Sequence, residues 1–331
     1  KQALLDSGLE PGKFDPNRAG VFIGSGIGGS QSIEDGFLRL YEKGPGGVSP
    51  FFVSRILINM AASNASILNN LKGPMSSYSV ACSTGSNVIG DAFRVIQRGD
   101  AEIMIAGSTE ASITPLSYAG FCATRSMSVN EDPDTASRPF DLNRDGFVMG
   151  EGAGIVVLES EEHALKRNAR IYAEITGYGN TSDAYHITAP DPSGDGMIRV
   201  MKKAIEDAKI NKEEIGYINA HGTSTKLNDK CESNAIENVF GEHSKNLKVS
   251  SNKSMIGHLM AAAGAVEFIA TVLSIFEGKI PPTINYKTPD PECRLDYVIN
   301  GSEKINVNAA MSNSFGFGGG NACLVVKRIE N

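Results

Sequence analysis

Residues 77 to 106 constrain the fold more than any other part of this chain. Ser77–Ala81 reads as a strand, and Val88, Ile89, Ala92, Phe93 and Ile96 then recur on one face of a helix over Ser86–Arg98. Gly99 suits the end of that helix, and Glu102–Ala106 is a second apolar strand. Two strands bracketing an amphipathic helix make a β-α-β unit, and Cys82 falls at its strand-to-helix turn. Apolar runs at Gly20–Ile23 and Gly154–Leu158, with a helical stretch over Ser32–Tyr41, extend the same alternation.

The second half repeats the pattern more loosely. Strands are predicted at Ile171–Gly177, Tyr217–Ala220, Leu247–Ser251, Ala309–Phe315 and Ala322–Lys327. Leu259–Phe276, apolar nearly all round and rich in Ala and Gly, predicts a helix buried among others. No low-complexity tract or Pro/Ser-rich linker divides the chain, so the reading is one compact unit of two α/β halves, residues 1–168 and 169–331. Self-similarity between the halves is too faint to establish a duplication.

Composition excludes several function classes. The 331 residues, 41% hydrophobic, are enough for a large core, and no apolar run of spanning length or signal segment is visible, so a soluble protein without a membrane partner is expected. Five cysteines without a C-x-x-C pair argue against a disulfide framework and a zinc ribbon, and for a reducing compartment. A net charge of −7 disfavours nucleic acid, whose backbone is bound by clustered Lys and Arg. An acidic macromolecular partner would need a local basic patch.

Two motif matches point elsewhere and are set aside. Gly24, Gly26 and Gly29 satisfy the dinucleotide fingerprint after a strand, but Leu40–Phe51 offers Gly, Pro and Lys where a second strand ending in an acid should stand. Tight backbone packing explains these glycines better. Asp141, Asn143 and Asp145 begin like a calcium loop, yet the closing position is Gly152. A tight turn with internally paired Asp and Arg residues is expected instead.

The chemistry gathers at four places. Cys82 is followed by small polar residues that let a helix begin behind the sulfur, where N–H groups and the helix dipole favour a thiolate and can bring a thiol below pH 7. His221 and His258 both follow strands and are flanked by glycine, as residues pointing from a scaffold into a cleft would be. Glu267 lies inside an apolar helix, where a partner such as Lys253 would relieve the cost of burial. Ser314–Asn321 is a glycine loop whose N–H groups can converge on an oxyanion, or a plain tight hairpin; read alone, the two are equally good.

The segments Val80-Ala-Cys-Ser-Thr-Gly, Asn219-Ala-His-Gly-Thr-Ser-Thr, Asn252-Lys-Ser-Met-Ile-Gly-His and Asn313-Ser-Phe-Gly-Phe-Gly-Gly resemble β-ketoacyl-(acyl carrier protein) synthases, condensing enzymes of the thiolase superfamily. Arg138-Pro-Phe-Asp, Arg144-Asp-Gly-Phe-Val and Gly150-Glu-Gly-Ala-Gly are similar too, so the resemblance runs from end to end. It implies a thiolase fold, two βαβαβ halves in five αβαβα layers, a homodimer, acyl carrier protein as partner, and no metal or other cofactor. It further implies that Cys82 carries the acyl group, His221 and His258 hold the malonyl thioester carbonyl, and Lys253 and Glu267 organise the histidines. Phe317 resembles the gatekeeper, with Phe315 and Gly316 beside it, and the N–H groups of Cys82 and Phe317 would form the oxyanion hole. By the same resemblance, Ile27, Phe52, Val53 and Phe121 mark the fatty-acid pocket, Phe52 and Val53 reaching in from a partner, while Thr223 and Thr225 bind substrate. The activity implied is decarboxylative condensation of malonyl-carrier with an enzyme-bound acyl group in fatty-acid elongation, in a cytoplasm or an organelle stroma.

Some positions depart from that pattern. Lys1–Gly8 resembles the helix after the family's first strand, so that strand, taken as central to its sheet, is expected to be absent, through trimming, an incomplete sequence or a need for complementation. Gly320 stands where Thr or His is usual, and Gly46 and Gly47 stand where basic carrier contacts are expected; Arg125 and Lys43 are the substitutes. A thiolase would carry a second cysteine in the C-terminal glycine loop, where this chain has Phe317 and Gly318, and an initiating synthase would replace one His by Asn. A polyketide ketosynthase domain and a non-catalytic chain-length partner are the remaining alternatives; the second should lack the nucleophile.

Overall fold

The computed structural model describes residues 1–329. Its strands are β1 (Ala19–Gly24), β2 (Met75–Ser76), β3 (Ile103–Glu110), β4 (Gly152–Glu159), β5 (Glu174–Ser182), β6 (Ile215–Asn219), β7 (Lys248–Ser250), β8 (Lys279–Ile280), β9 (Asp296–Tyr297), β10 (Glu303–Lys304), β11 (Ala309–Phe315) and β12 (Gly320–Lys327). The first sheet runs β2-β1-β3-β4, parallel except for β4, and the second runs β5-β12-β11-β6-β7-β9. In the second, β11, β6, β7 and β9 are parallel, and β12 is antiparallel to both of its neighbours. β8 and β10 form a separate antiparallel ribbon.

Two helices, Thr84–Gln97 and Ala263–Glu277, lie between the sheets and bury one shared core with Phe22, Met104, Tyr178, Tyr217, Phe268 and Leu324. Helices Asp195–Ala208 and Lys226–Phe240 cover the far face of the second sheet around Met201, Ile218, Ile236 and Met311. Leu4 from the first helix and Ala62 from helix Met60–Asn69 cover the far face of the first sheet, over Val21, Ile23 and Ile105. The result is five layers, helix, sheet, helix, sheet, helix. Each sheet hides both faces, which is why its strands read as apolar runs rather than as alternation.

The structure corrects several expectations. Ser77–Ala81 is not a strand: the ladder beside β1 ends at Ser76, and Ser77 Oγ turns to the carbonyl oxygens of Ile23 (2.6 Å) and Ile58 (3.1 Å). Serine hydroxyls offer the backbone an alternative to the ladder, so the chain leaves the sheet early. Nor is a half's first strand central. β5, the first strand of the second half, lies at the edge, paired only with β12. No strand among the described residues pairs with the outer side of β4, the corresponding edge of the first sheet.

Met260–Glu277, contrary to the reading of the sequence, is long and apolar enough by composition to cross a membrane, with mean hydropathy 1.6. It is a core element here: most of it is buried between the sheets, although Leu273 and Phe276 reach the surface. The glycines of the dinucleotide-like motif sit against their neighbours, and an ideal Cβ would meet Thr84 Cγ2 at 2.4 Å from Gly24 and the Arg55 carbonyl oxygen at 2.2 Å from Gly29. The calcium-like turn pairs internally through the Arg138–Asp145 ion pair and through the Arg144 guanidinium, which donates to the Asp141 carbonyl (2.9 Å). Arg144 also crosses to Asp290 (2.5 Å) and Asp229 (3.6 Å), buried carboxylates from the second half. Asp141 accepts N–H bonds from Asn143, Lys287 and Thr288.

Candidate active site

Cys82 stands on a backbone elbow. Ala81 before it holds φ 45°, a left-handed conformation rare for a residue with a Cβ. Local bonds enforce it: Thr84 Oγ1 accepts the Val80 N–H (2.8 Å) and donates to the Ala81 carbonyl (2.7 Å), and Ser83 Oγ donates to the Val80 carbonyl (2.9 Å). Strain of this kind persists only where its surroundings over-determine it, and it collects at functional sites. Helix Thr84–Gln97 starts two residues past the sulfur.

The sulfur is not poised as a thiolate, contrary to the expectation from the helix start alone. Burial pushes the Cys82 thiol up to about 11, against the pull of the Phe317 N–H and of Lys253. The same Phe317 N–H and that of Cys82 itself donate toward the sulfur, the pair named from the sequence as an oxyanion hole.

His221 follows β6. Glu232, on helix Lys226–Phe240, accepts the backbone N–H groups of His221 (2.9 Å) and Gly222 (2.8 Å) and the Asn313 side-chain amide (3.2 Å), which fixes where the imidazole leaves the backbone. Burial raises Glu232 to about 7. His258 is set by its own strand-like contacts, donating its N–H to the Val148 carbonyl (2.7 Å) and accepting from the Gly150 N–H (2.9 Å). The two imidazoles meet edge to face at 5.4 Å, with Phe315 edge-on to His221 at 5.7 Å and Phe147 edge-on to His258 at 5.5 Å. Burial first, and the Lys253 charge second, hold both histidines well below their usual pKa, so both are neutral at pH 7.

Lys253 and Glu267 form an ion pair with both side chains 1% exposed. Burial raises Glu267 to about 7 despite the ammonium. Lys253 Nζ also donates to the His221 carbonyl (2.6 Å) and sits 3.3 Å from His221 Nδ1. An ammonium has only protons to offer, so Nδ1 accepts and the imidazole proton sits on Nε2. The lysine thus supplies a tautomer as well as a charge.

Cys82, His221 and His258 line one cavity of about 380 Å³, together with Phe121, Arg125, Thr223, Thr225, Phe315, Gly316 and Phe317. Lys253 and Glu267 stand behind it. Phe317 opens a short turn, Phe317–Gly319, between antiparallel β11 and β12, so the glycine loop is a tight hairpin that also aims an N–H at the sulfur. Ile27, Phe52 and Val53 do not line this cavity: Ile27 is partly exposed after β1, Phe52 packs on Gly36, and Val53 faces solvent. Lys43 ends helix Ser30–Lys43, against Gly47, away from the cavity. Sequence reasoning passed over Glu232, Phe147, Met260 and Asp183; the last three line the cavity. A signal existed for Glu232 alone, an acid on the buried face of its helix.

The Beta-ketoacyl synthase N-terminal domain family matches residues 1–164, and its C-terminal domain family matches residues 172–287. The chain belongs to the β-ketoacyl synthase family. Among curated β-ketoacyl synthases, 3-oxoacyl-[acyl-carrier-protein] synthase 2 of Staphylococcus aureus (strain COL) is 53% identical over 330 residues, covering 100% of this chain and 80% of the relative. The protein of the same name from Synechocystis sp. is 51% identical over 331 residues, with 100% and 80% covered. Of solved structures, a type II polyketide ketosynthase bound to a hexaketide, in complex with its acyl carrier protein, superposes with TM-score 0.96 at 38% identity, covering 99% of this chain and 82% of that one. A β-ketoacyl synthase from Burkholderia phymatum STM815 superposes with TM-score 0.92 at 37% identity, with 99% and 80% covered.

Proposed function

We propose that this protein is a 3-oxoacyl-(acyl carrier protein) synthase of fatty-acid elongation, with acyl carrier protein as its partner in both half-reactions. The observation that carries this reading is the meeting of one thiol and two neutral imidazoles on a single cavity, over a buried Lys–Glu pair. The 53% identity to a 3-oxoacyl-carrier synthase, against 38% to a polyketide ketosynthase, favours fatty-acid over polyketide elongation.

In the first half-reaction the Cys82 sulfur attacks the thioester of acyl-carrier, its proton leaving with the carrier thiol, and a new thioester forms on Cys82. In the second, malonyl-carrier loses CO₂ and the electron pair moves into an enolate. On this reading the Nε2–H of His221 and an N–H of His258 donate to the oxygen where that charge develops, and each such donor contributes about 3–4 kcal/mol to the transition state. The carbanion then attacks the acyl-Cys82 carbonyl, whose oxyanion the N–H groups of Cys82 and Phe317 receive. The C–S bond breaks, 3-oxoacyl-carrier leaves, and the sulfur regains a proton from solvent. Neutral histidines suit this chemistry because an imidazolium would protonate the carbanion before it found the acyl group.

We assign the acyl channel to Phe121 and, with a second copy in place, to Ile27, Phe52 and Val53; Thr223 and Thr225 hold the prosthetic arm. Exposed Phe51, Val53 and Leu57 support a homodimer through that surface, which sedimentation would show and Val53→Asp would weaken. Arg125, at the mouth of the cavity, and Lys43 are the carrier contacts on this reading. Five free thiols fit a cytosol or an organelle stroma. The deciding experiment supplies acyl-carrier and malonyl-carrier and follows CO₂ release with 3-oxoacyl-carrier formation. CO₂ without ketoacyl product, or neither, would remove this reading.

A further inference from the structure

One buried acid has no part in the chemistry above. Glu110 ends β3, is 2% exposed, and does not line the cavity. Its carboxylate accepts the N–H of Gly26 (2.8 Å), the N–H of Ile27 (3.3 Å) and the Ser25 hydroxyl (3.4 Å), and also the N–H of Ala261. Burial raises its pKa while each of these donors lowers it.

The four donors belong to two segments only, the loop after β1 and the turn Met260–Ala262, two residues beyond His258. They lie close, with room for little more than a hydrogen between them: an ideal Cβ on Gly26 would lie 3.4 Å from Ala261 Cβ. Met260 is in the left-handed region at φ 50° without being glycine, and its side chain lines the cavity with Cys82 and His258. The Ala261 N–H held by Glu110 directly follows that strained residue. An apolar side chain here would leave the N–H groups of Gly26, Ile27 and Ala261 without an acceptor, at about 1–3 kcal/mol each. A carboxylate that gathers N–H groups from two segments therefore also sets the spacing between them.

We propose that Glu110 is a positioning residue for the acyl channel, locking Met260 and the Ser25–Gly28 loop at the spacing through which an acyl chain leaves Cys82. The proposal rests on the reading of Cys82 as the acyl-bearing residue. In Glu110→Gln an amide NH₂ replaces one acceptor oxygen and confronts a backbone N–H, so the two segments part. A displacement near 1 Å costs about 100-fold where geometry limits the rate. Long chains thread the whole channel and short ones do not, so selectivity moves while the malonyl side stays.

The test loads the purified enzyme with acyl-carriers of six and of sixteen carbons, reads acyl-Cys82 by intact mass, and measures kcat and KM for each, with malonyl-carrier decarboxylation alongside. In Glu110→Gln the long-to-short ratio of kcat/KM should fall by about tenfold or more, with decarboxylation within about threefold of the unchanged enzyme. Gly26→Ala is the second variant, keeping the carboxylate but placing a Cβ 2.4 Å from its Oε2; it should shift the ratio the same way if Glu110→Gln does not fold. A ratio unchanged in both variants, or a uniform fall across chain lengths and decarboxylation, overturns the proposal. No acyl-Cys82 in the unchanged enzyme would overturn the functional reading itself, and this inference with it.

Discussion

Lys253 and Glu267 offer a test that separates stability from catalysis. Both side chains are 1% exposed, and Lys253 also serves the carbonyl and Nδ1 of His221. Glu267→Gln or Lys253→Met leaves one buried charge without its counterion, a change worth about 3–5 kcal/mol. For 331 residues the unfolding entropy near the midpoint is roughly 0.7 kcal/mol per kelvin, so each single variant should melt about 4–7 °C lower. The double variant Lys253→Met/Glu267→Leu removes both charges and should recover most of that loss, because well-packed apolar replacements of buried pairs are often neutral or stabilising. Activity should not recover with it, since nothing then holds the His221 tautomer; decarboxylation should stay about 100-fold down or more on the scale of a lost donor. Thermal melts with CO₂ release on the same four proteins give both readouts. A double variant that melts as low as the two single losses added together would refute the pairing argument. One that regains decarboxylation would refute the role given to the lysine.

Cys82→Gln should abolish condensation, which needs a thioester, yet keep or raise malonyl-carrier decarboxylation, whereas His258→Ala should depress both by about two orders of magnitude; equal loss of decarboxylation in the two variants would contradict the division of labour. With its thiol raised to about 11, Cys82 should be alkylated by iodoacetamide about ten times faster for each pH unit between 7 and 9, and a plateau below pH 8 would show that the helix start outweighs burial. On the reading of Phe317 as gatekeeper that the resemblance implies, Phe317→Ala should leave the backbone N–H in place and keep both half-reactions but let malonyl-carrier lose CO₂ before Cys82 is acylated; CO₂ release that stays equal to ketoacyl product would remove that role.

Legibility in the sequence followed the range of the interactions. Cys82, His221 and His258 stood out because small residues and glycines around them are local marks of a turn that ends at a cavity. The Lys253–Glu267 pairing was legible because a carboxylate in an apolar helix requires a partner. Ala81 carried no mark: its left-handed backbone comes from hydroxyls two and three residues on, and alanine is not a residue associated with that conformation. Glu110 was invisible because its loop donors are 83 to 85 residues away in sequence. The ionisation of Cys82 was misjudged for a related reason, since a helix start is local and readable, whereas burial is a property of the assembled fold. The early end of the strand before Cys82 had a readable cause in its serines, which outcompete the ladder.

The nucleophile is carried by the first half of the chain and both imidazoles by the second, with His258 pinned on Val148 and Gly150 of the first, so each half owns reagents that are useless alone. The distance between sulfur and imidazole is therefore a measure of how the sheets sit on the helices they share. Gly90, on helix Thr84–Gln97, has Tyr178 of β5 pressed so close that an ideal Cβ would lie 2.3 Å from its ring. A methyl group at that seam, remote from every reacting atom, would act as a wedge. In such a design turnover is a ruler for the packing between two halves, and selection on rate becomes selection on a seam that no substrate touches.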